Sequence, residues 1–153
     1  MNIETALKEA MAIEGATGAA LVDWESGMAL GTLGGGKYLD LDLAAAGNTE
    51  VVRAKMRTVE SLRLDDSVED ILITLSKQYH LIRLLGSGQG HKLFLYLVLD
   101  RNKANLALAR QTIDLVGMLE EKTKGNLTGD EERLIGQILF DLRIRYVEQS
   151  KPK

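Results

Sequence analysis

LFLYLVLDRNKANLALARQTIDLV, residues 93–116, decides how the rest of the chain is read. Its first seven residues are all apolar or aromatic. A short run of that kind, bounded by charge, reads as a buried strand. Asp100 and Arg101 stop it. The polar cluster Asn102-Lys103-Ala104-Asn105 follows, and then a helical pattern running through Leu106, Arg110 and Ile113. Asn102 stands where a helix N-cap is expected, since its side chain can accept one of the unpaired amides of a first turn.

Upstream, residues 68–75 place Ile71, Ile73 and Leu75 on one face of a strand. Ser76-Lys77-Gln78 turns the chain, and residues 79–85 return as the next strand. Gly86-Ser87-Gly88-Gln89-Gly90 then leads into the run at 92–99, so three strands form a meander. Before them, residues 39–62 are helical, with Leu43, Ala46, Gly47, Val51, Ala54, Val59 and Leu62 as the apolar or small stripe. Val52 and Met56 widen it, and so wide a stripe predicts contacts beyond the helix's own sheet. Gly47 costs about 1 kcal/mol of helix stability relative to Ala; close approach of another helix would offset that. Earlier still, Ala19-Ala20-Leu21-Val22 and Met28-Ala29-Leu30 flank Asp23-Trp24-Glu25-Ser26-Gly27, which reads as a hairpin. Ile3, Leu7, Ala10 and Met11 make a first amphipathic helix, with Gly15 as its C′ residue. Downstream, Gly125-Asn126 ends the third helix. Thr128 and Glu131 form a capping box for a fourth, whose stripe is Leu134, Ile135, Ile138, Leu139, Leu142 and Tyr146. So apolar a stripe must bury, on the third helix or on a partner's copy. Helix, hairpin, helix, three strands, helix predicts an α/β layer structure, a mixed sheet with helices on both faces.

At 153 residues the chain fits one domain with a real core. Apolar content of 45% and charged content of 27% are ordinary for a globular protein. No apolar run approaches the roughly 20 residues that cross a bilayer. Met-Asn-Ile-Glu-Thr lacks the basic start and apolar core of a signal peptide. Without cysteine there is no disulfide framework, thiol nucleophile or thiolate metal site. A net charge of −3 argues against nucleic acid as partner. The expected localisation is cytoplasmic.

The apolar strand ending in Asp100-Arg101, followed by Ala104-Asn105-Leu106 and Arg110, resembles the last strand and helix of the roadblock / dynein light-chain family. GAALVDWESGMAL, residues 18–30, is similar to that family's first hairpin. The resemblance covers about residues 3–120. It implies a profilin-like α/β sandwich: a five-stranded mixed, mainly antiparallel sheet with helices on both faces, occupying residues 1–124. The helix at 126–149 lies beyond the minimal family domain. The resemblance also implies a two-fold homodimer through the second helix and third strand, the two sheets joining edge to edge. The interface would use Gly47, Val51, Ala54 and Val59 on the helix and Val68, Ile71 and Ile73 on the strand. It implies a non-enzymatic regulatory scaffold that binds a Ras-like small GTPase, needs no cofactor or metal, and acts by repositioning the GTPase's own residues. Arg53, Arg57 and Glu50 would be docking contacts. The alternatives are a structural subunit of a signalling or motor assembly and a small-molecule sensor domain.

Other motifs have plainer explanations. Gly31-Thr-Leu-Gly-Gly-Gly36-Lys37-Tyr38 nearly matches a P-loop, but Tyr38 stands where Mg²⁺ needs a Ser or Thr hydroxyl. Residues 86–90 lack the following helix of a dinucleotide site. His80 and His91 have no ligand companions at metal-site spacing. Asp65, Asp66, Glu69 and Asp70 read as a solvated turn beside a strand, or as a steering patch for a basic partner.

Overall fold

The structure, a computed structural model, describes residues 2–86 and 92–123, with side chains as far as Asp114. The expected helix at 126–149, most of the Gly-rich loop and His91 lie outside the described residues. Helix α1 (Ile3–Met11) begins at Asn2, whose side chain accepts the Thr5 amide at 2.8 Å. It stops at Ala12, earlier than Gly15 predicts, because a tight turn follows in which the Ala16 amide bonds to the Ile13 carbonyl. Gly15 serves that turn instead, at φ +86°, and a Cβ there would lie 2.9 Å from Ala104.

Strands β1 (Ala16–Asp23) and β2 (Met28–Gly34) form the expected hairpin. The Asp23 carboxylate accepts the Glu25 amide and the Ser26 hydroxyl across the turn. Those bonds hold its carboxyl below the usual carboxylate range. Helix α2 (Leu41–Ser61) is capped by Asp40, which accepts the amides of Asp42 and Leu43. Strands β3 (Asp70–Thr74), β4 (Gln78–Leu85) and β5 (Leu93–Asp100) form the meander. Val68 precedes β3 instead of belonging to it. Helix α3 (Leu106–Thr123) starts after Asn105, and its cap is Asn105, which accepts the Leu108 amide, not Asn102. The reason lies in Asp100: its side chain accepts the Asn102 amide and its carbonyl accepts those of Lys103 and Ala104, which holds residues 101–104 in a turn.

The sheet runs β2-β1-β5-β4-β3, and all four pairings are antiparallel. Among the described strands the expected parallel component is absent, for a topological reason. The helical crossover, α2, joins β2 to β3, and these are the two edges of the sheet. Residues 2–104 form one compact unit; α3 belongs to another. Within the first unit the helices cover opposite faces. Leu41, Ala45 and Val52 of α2 pack with Ala20, Val22, Ile82, Phe94, Tyr96 and Val98. On the other face α1 passes over Gly31, where a Cβ would meet Ile3 and Leu7.

Candidate functional site

Helix α2 is apolar on two sides. Leu41, Ala45, Thr49 and Val52 are buried, and the buried Thr49 hydroxyl is satisfied by donating to the Ala45 carbonyl at 2.8 Å. Met56 and Val59 continue that inward stripe at helical spacing and are half-buried. The opposite side carries Leu43, Gly47, Val51, Ala54, Thr58 and Leu62, all exposed: Leu43 at 73%, Val51 at 38% and Leu62 at 63%. A Cβ at Gly47 would meet nothing within 4 Å, so no helix of the described chain approaches it.

Strand β3 is an edge, paired only with β4. Between it and α2 lies a groove of about 500 Å³ lined by Val51, Ala54, Lys55, Thr58, Val68, Asp70 and Ile71. The structure thus brings together Val51, Ala54, Val68 and Ile71 of the expected interface residues. It does not bring Val59 or Ile73, which packs inward against the core. Lys55 and Thr58 are not among the residues expected there, although they stand four and seven residues after Val51, on its side of the helix. Asp70 lies 3.5 Å from Arg83 directly across the β3–β4 pair, both side chains mostly buried. A cation therefore already faces the carboxylate nearest the edge. Asp65, Asp66 and Glu69 are exposed.

Arg53 is engaged within the chain. Its Nε donates to the Trp24 carbonyl at 3.0 Å, one terminal nitrogen donates to the Glu25 carbonyl at 2.6 Å, and the other meets Glu50 at 2.6 Å. It clamps the β1–β2 turn to α2, and Glu50 orients it. Arg57 is exposed and pairs with no described residue. Arg53→Ala is expected to lower unfolding stability by about 1–3 kcal/mol through loss of these charge-assisted bonds. Arg57→Ala is expected to change it by less than about 0.5 kcal/mol. Urea denaturation of the two variants measures the difference.

The near P-loop has no free cradle. The Gly35 amide donates to the Thr17 carbonyl and the Gly36 amide to that of Leu39, while Lys37 sits 5.5 Å from the Tyr38 ring. The Asp40 carboxylate already holds the first amides of α2, where a phosphate would bind. Among the described residues no three His, Cys, Asp or Glu side chains gather as metal ligands. None of the described helices is long and apolar enough to cross a membrane.

Among the solved structures that resemble this one are the following three. MglB of Myxococcus xanthus superposes with a TM-score of 0.61 at 19% identity, over 78% of this chain and 89% of that one. A roadblock/LC7 domain from Streptomyces avermitilis gives 0.61 at 15%, over 80% and 98%. The gliding protein MglB of Thermus thermophilus gives 0.59 at 21%, over 71% and 77%. The chain has the roadblock/LC7 fold. A family model described as a domain of unknown function, DUF1844, matches residues 99–148. No curated protein matches. Within this fold the Asp100-Arg101 pair has a mechanical role. Asp100 forms the turn after β5, while Arg101 donates to the Leu75 carbonyl at 2.8 Å and lies 5.2 Å from the Tyr79 ring, tying down the β3–β4 turn.

Proposed function

We propose that the chain is a dimeric, non-enzymatic regulatory scaffold that binds a Ras-like small GTPase and modulates its nucleotide cycle. The observation that carries this reading is the exposed apolar side of α2 lying beside the open edge of β3. Unpaired edge amides and exposed leucines are both liabilities that a second copy removes together. The exposed stripe suits an antiparallel copy of itself. Leu43, Gly47, Val51, Ala54, Thr58 and Leu62 are spaced four, four, three, four and four residues apart, the same in either direction. A two-fold between Val51 and Ala54 turns Leu43 toward the partner's end of α2 that carries the partner's Leu62, and sets Gly47 near the partner's Thr58. Arg83 beside Asp70 relieves repulsion between acidic edges meeting at the same axis. The GTPase partner follows from the roadblock resemblance, and likeness to two proteins named MglB supports a regulatory setting. Arg57, exposed on α2, remains available for docking.

The test mixes the purified chain with each Ras-like GTPase of its own organism, loaded with GDP or with a non-hydrolysable GTP analogue, and resolves the mixtures by gel filtration. A complex selective for one nucleotide state is expected, with a changed GTP hydrolysis rate. A complex with no change in rate would leave a scaffold alone. Absence of any complex in either state would reject the GTPase partner.

A further inference from the structure

The sheet has two open edges, and they are guarded differently. Strand β3 is five residues long and carries Asp70, mostly buried against Arg83. Asp66 and Glu69, both exposed, stand just before it. A short strand with an inward-pointing charge is a common protection of an edge against unwanted pairing. Strand β2, at the opposite edge, pairs only with β1. It is seven residues long, MALGTLG, and has neither charge nor proline. Its one guard is an irregularity opposite Leu21 and Val22, where the register passes over Leu30. Met28 at 66%, Leu30 at 48% and Leu33 at 38% lie exposed along it.

The two ends of β2 carry opposite charge. Before it, the exposed Glu25 holds Lys92 through Oε1 at 2.8 Å, which leaves Oε2 to a second cation. After it, Lys37 lies 5.5 Å from the ring of Tyr38 and pairs with no carboxylate among the described residues. Tyr38 itself is 94% exposed. Glu25 and Lys37 each stand six residues from Gly31. An antiparallel copy of β2 crossing at Gly31 therefore sets Lys37 level with the partner's Glu25. It also sets the uncovered Tyr38 level with the partner's Trp24, another aromatic residue of a loop flanking the strand. A parallel copy would set Lys37 beside the partner's Lys37 instead. We propose that β2 is a second self-association edge, which takes the β2 of another copy as an added antiparallel strand.

Main-chain hydrogen bonds to the open side of β2 supply the attraction, and the exposed side chains of Met28, Leu30 and Leu33 lose water beside the added strand. The contact is small: one strand and its two flanking loops, with no helix face. It therefore forms at higher concentration than a contact through α2 and β3. The β2 contact does not depend on the dimer proposed above. One consequence does rest on that reading. With β3 taken by one copy and β2 by another, the two contacts lie at opposite edges of the same sheet. Each chain added leaves an edge open, so copies join in a row instead of a closed ring.

The test measures the mass of the full chain by light scattering from about 10 μM to about 1 mM, a range that covers weak contacts. Expected is a mass that rises past two chains at the upper end and falls back on dilution. Leu30→Lys puts a charge on the edge and should hold the mass at its dilute value throughout. Lys37→Glu, at an exposed loop position, should raise the concentration needed severalfold, and added salt should do the same to wild type. Val51→Asp, a monomer when dilute, should still pass from one chain to two at the upper end, because β2 is untouched. A wild type that is monomeric when dilute and pairs when concentrated, with Leu30→Lys abolishing the pairing, would reject the α2–β3 dimer and support the β2 contact. If Leu30→Lys fails to fold, Lys37→Glu carries the test. A wild-type mass that stays constant across the range, or equal association of wild type, Leu30→Lys and Lys37→Glu, would overturn β2 pairing and leave that edge to a strand of another protein.

Discussion

Val51→Asp is expected to convert the proposed dimer to a folded monomer. Val51 sits at the centre of the exposed stripe and lines the groove beside β3. Across a two-fold at that point, one substitution places two carboxylates face to face against apolar surface. Removing a charge from water without a partner costs several kcal/mol. Even about 3 kcal/mol weakens association roughly a hundredfold. The same change in the monomer is mild. The side chain is already 38% exposed, and Asp and Val have similar helix propensities. Lys55, four residues on, offers an ion pair worth about 0.5 kcal/mol at most. Light scattering across a concentration series, with urea denaturation on the same samples, separates dissociation from unfolding. Gly47→Ala gives an independent check. With open space at its Cβ it should gain about 1 kcal/mol of helix stability in the monomer, and it should weaken the dimer if a partner helix passes there. A wild-type monomer, or a Val51→Asp dimer as tight as wild type, would remove the basis for the scaffold proposal.

Phe94→Ala is expected to cost about 3–5 kcal/mol, the usual range for emptying a buried aromatic position. Phe94 is fully buried, pairs with Val22 on β1 and Leu84 on β4, and packs in the cluster beneath α2. Strands close it in on both sides and α2 covers it, so the cavity cannot collapse easily. Against a total stability of about 5–15 kcal/mol for a domain, the variant should be largely unfolded at modest urea. Met28→Ala on β2, where the side chain is 66% exposed, should change stability by less than about 0.5 kcal/mol. Equal losses at the two positions would contradict the placement of the core.

Much of the architecture was legible because it is written in local chemistry. The run at 93–99, apolar throughout, rich in β-formers and bounded by charge, reads as a buried strand and forms one. The acidic turn ending at Gly27 closes a hairpin, and Asp23 organises it through bonds within three residues. Boundaries were less legible. Asn102 and Asn105 are equally good caps in isolation, and the choice fell to Asn105 because Asp100 holds the intervening residues in a turn. The groove beside β3 is half legible: Val51, Ala54, Val68 and Ile71, which the resemblance assigns to a dimer interface, line it, but Arg53, expected at a partner contact, clamps a turn 28 and 29 residues away in sequence.

The sequence by itself determined the elements and their order, since hydrophobic period, turn residues and caps act over a few neighbouring positions. Only the tertiary structure decided the strand order, with β3 left at an edge, and which side of α2 is covered. Helix α2 has small or apolar residues on both sides, so periodicity cannot choose between the Ala45–Val52 side and the Val51–Ala54 side. The choice is made by what packs: Ala45 and Val52 pack with residues of β1, β4 and β5, while Val51 and Ala54 are left beside an edge strand.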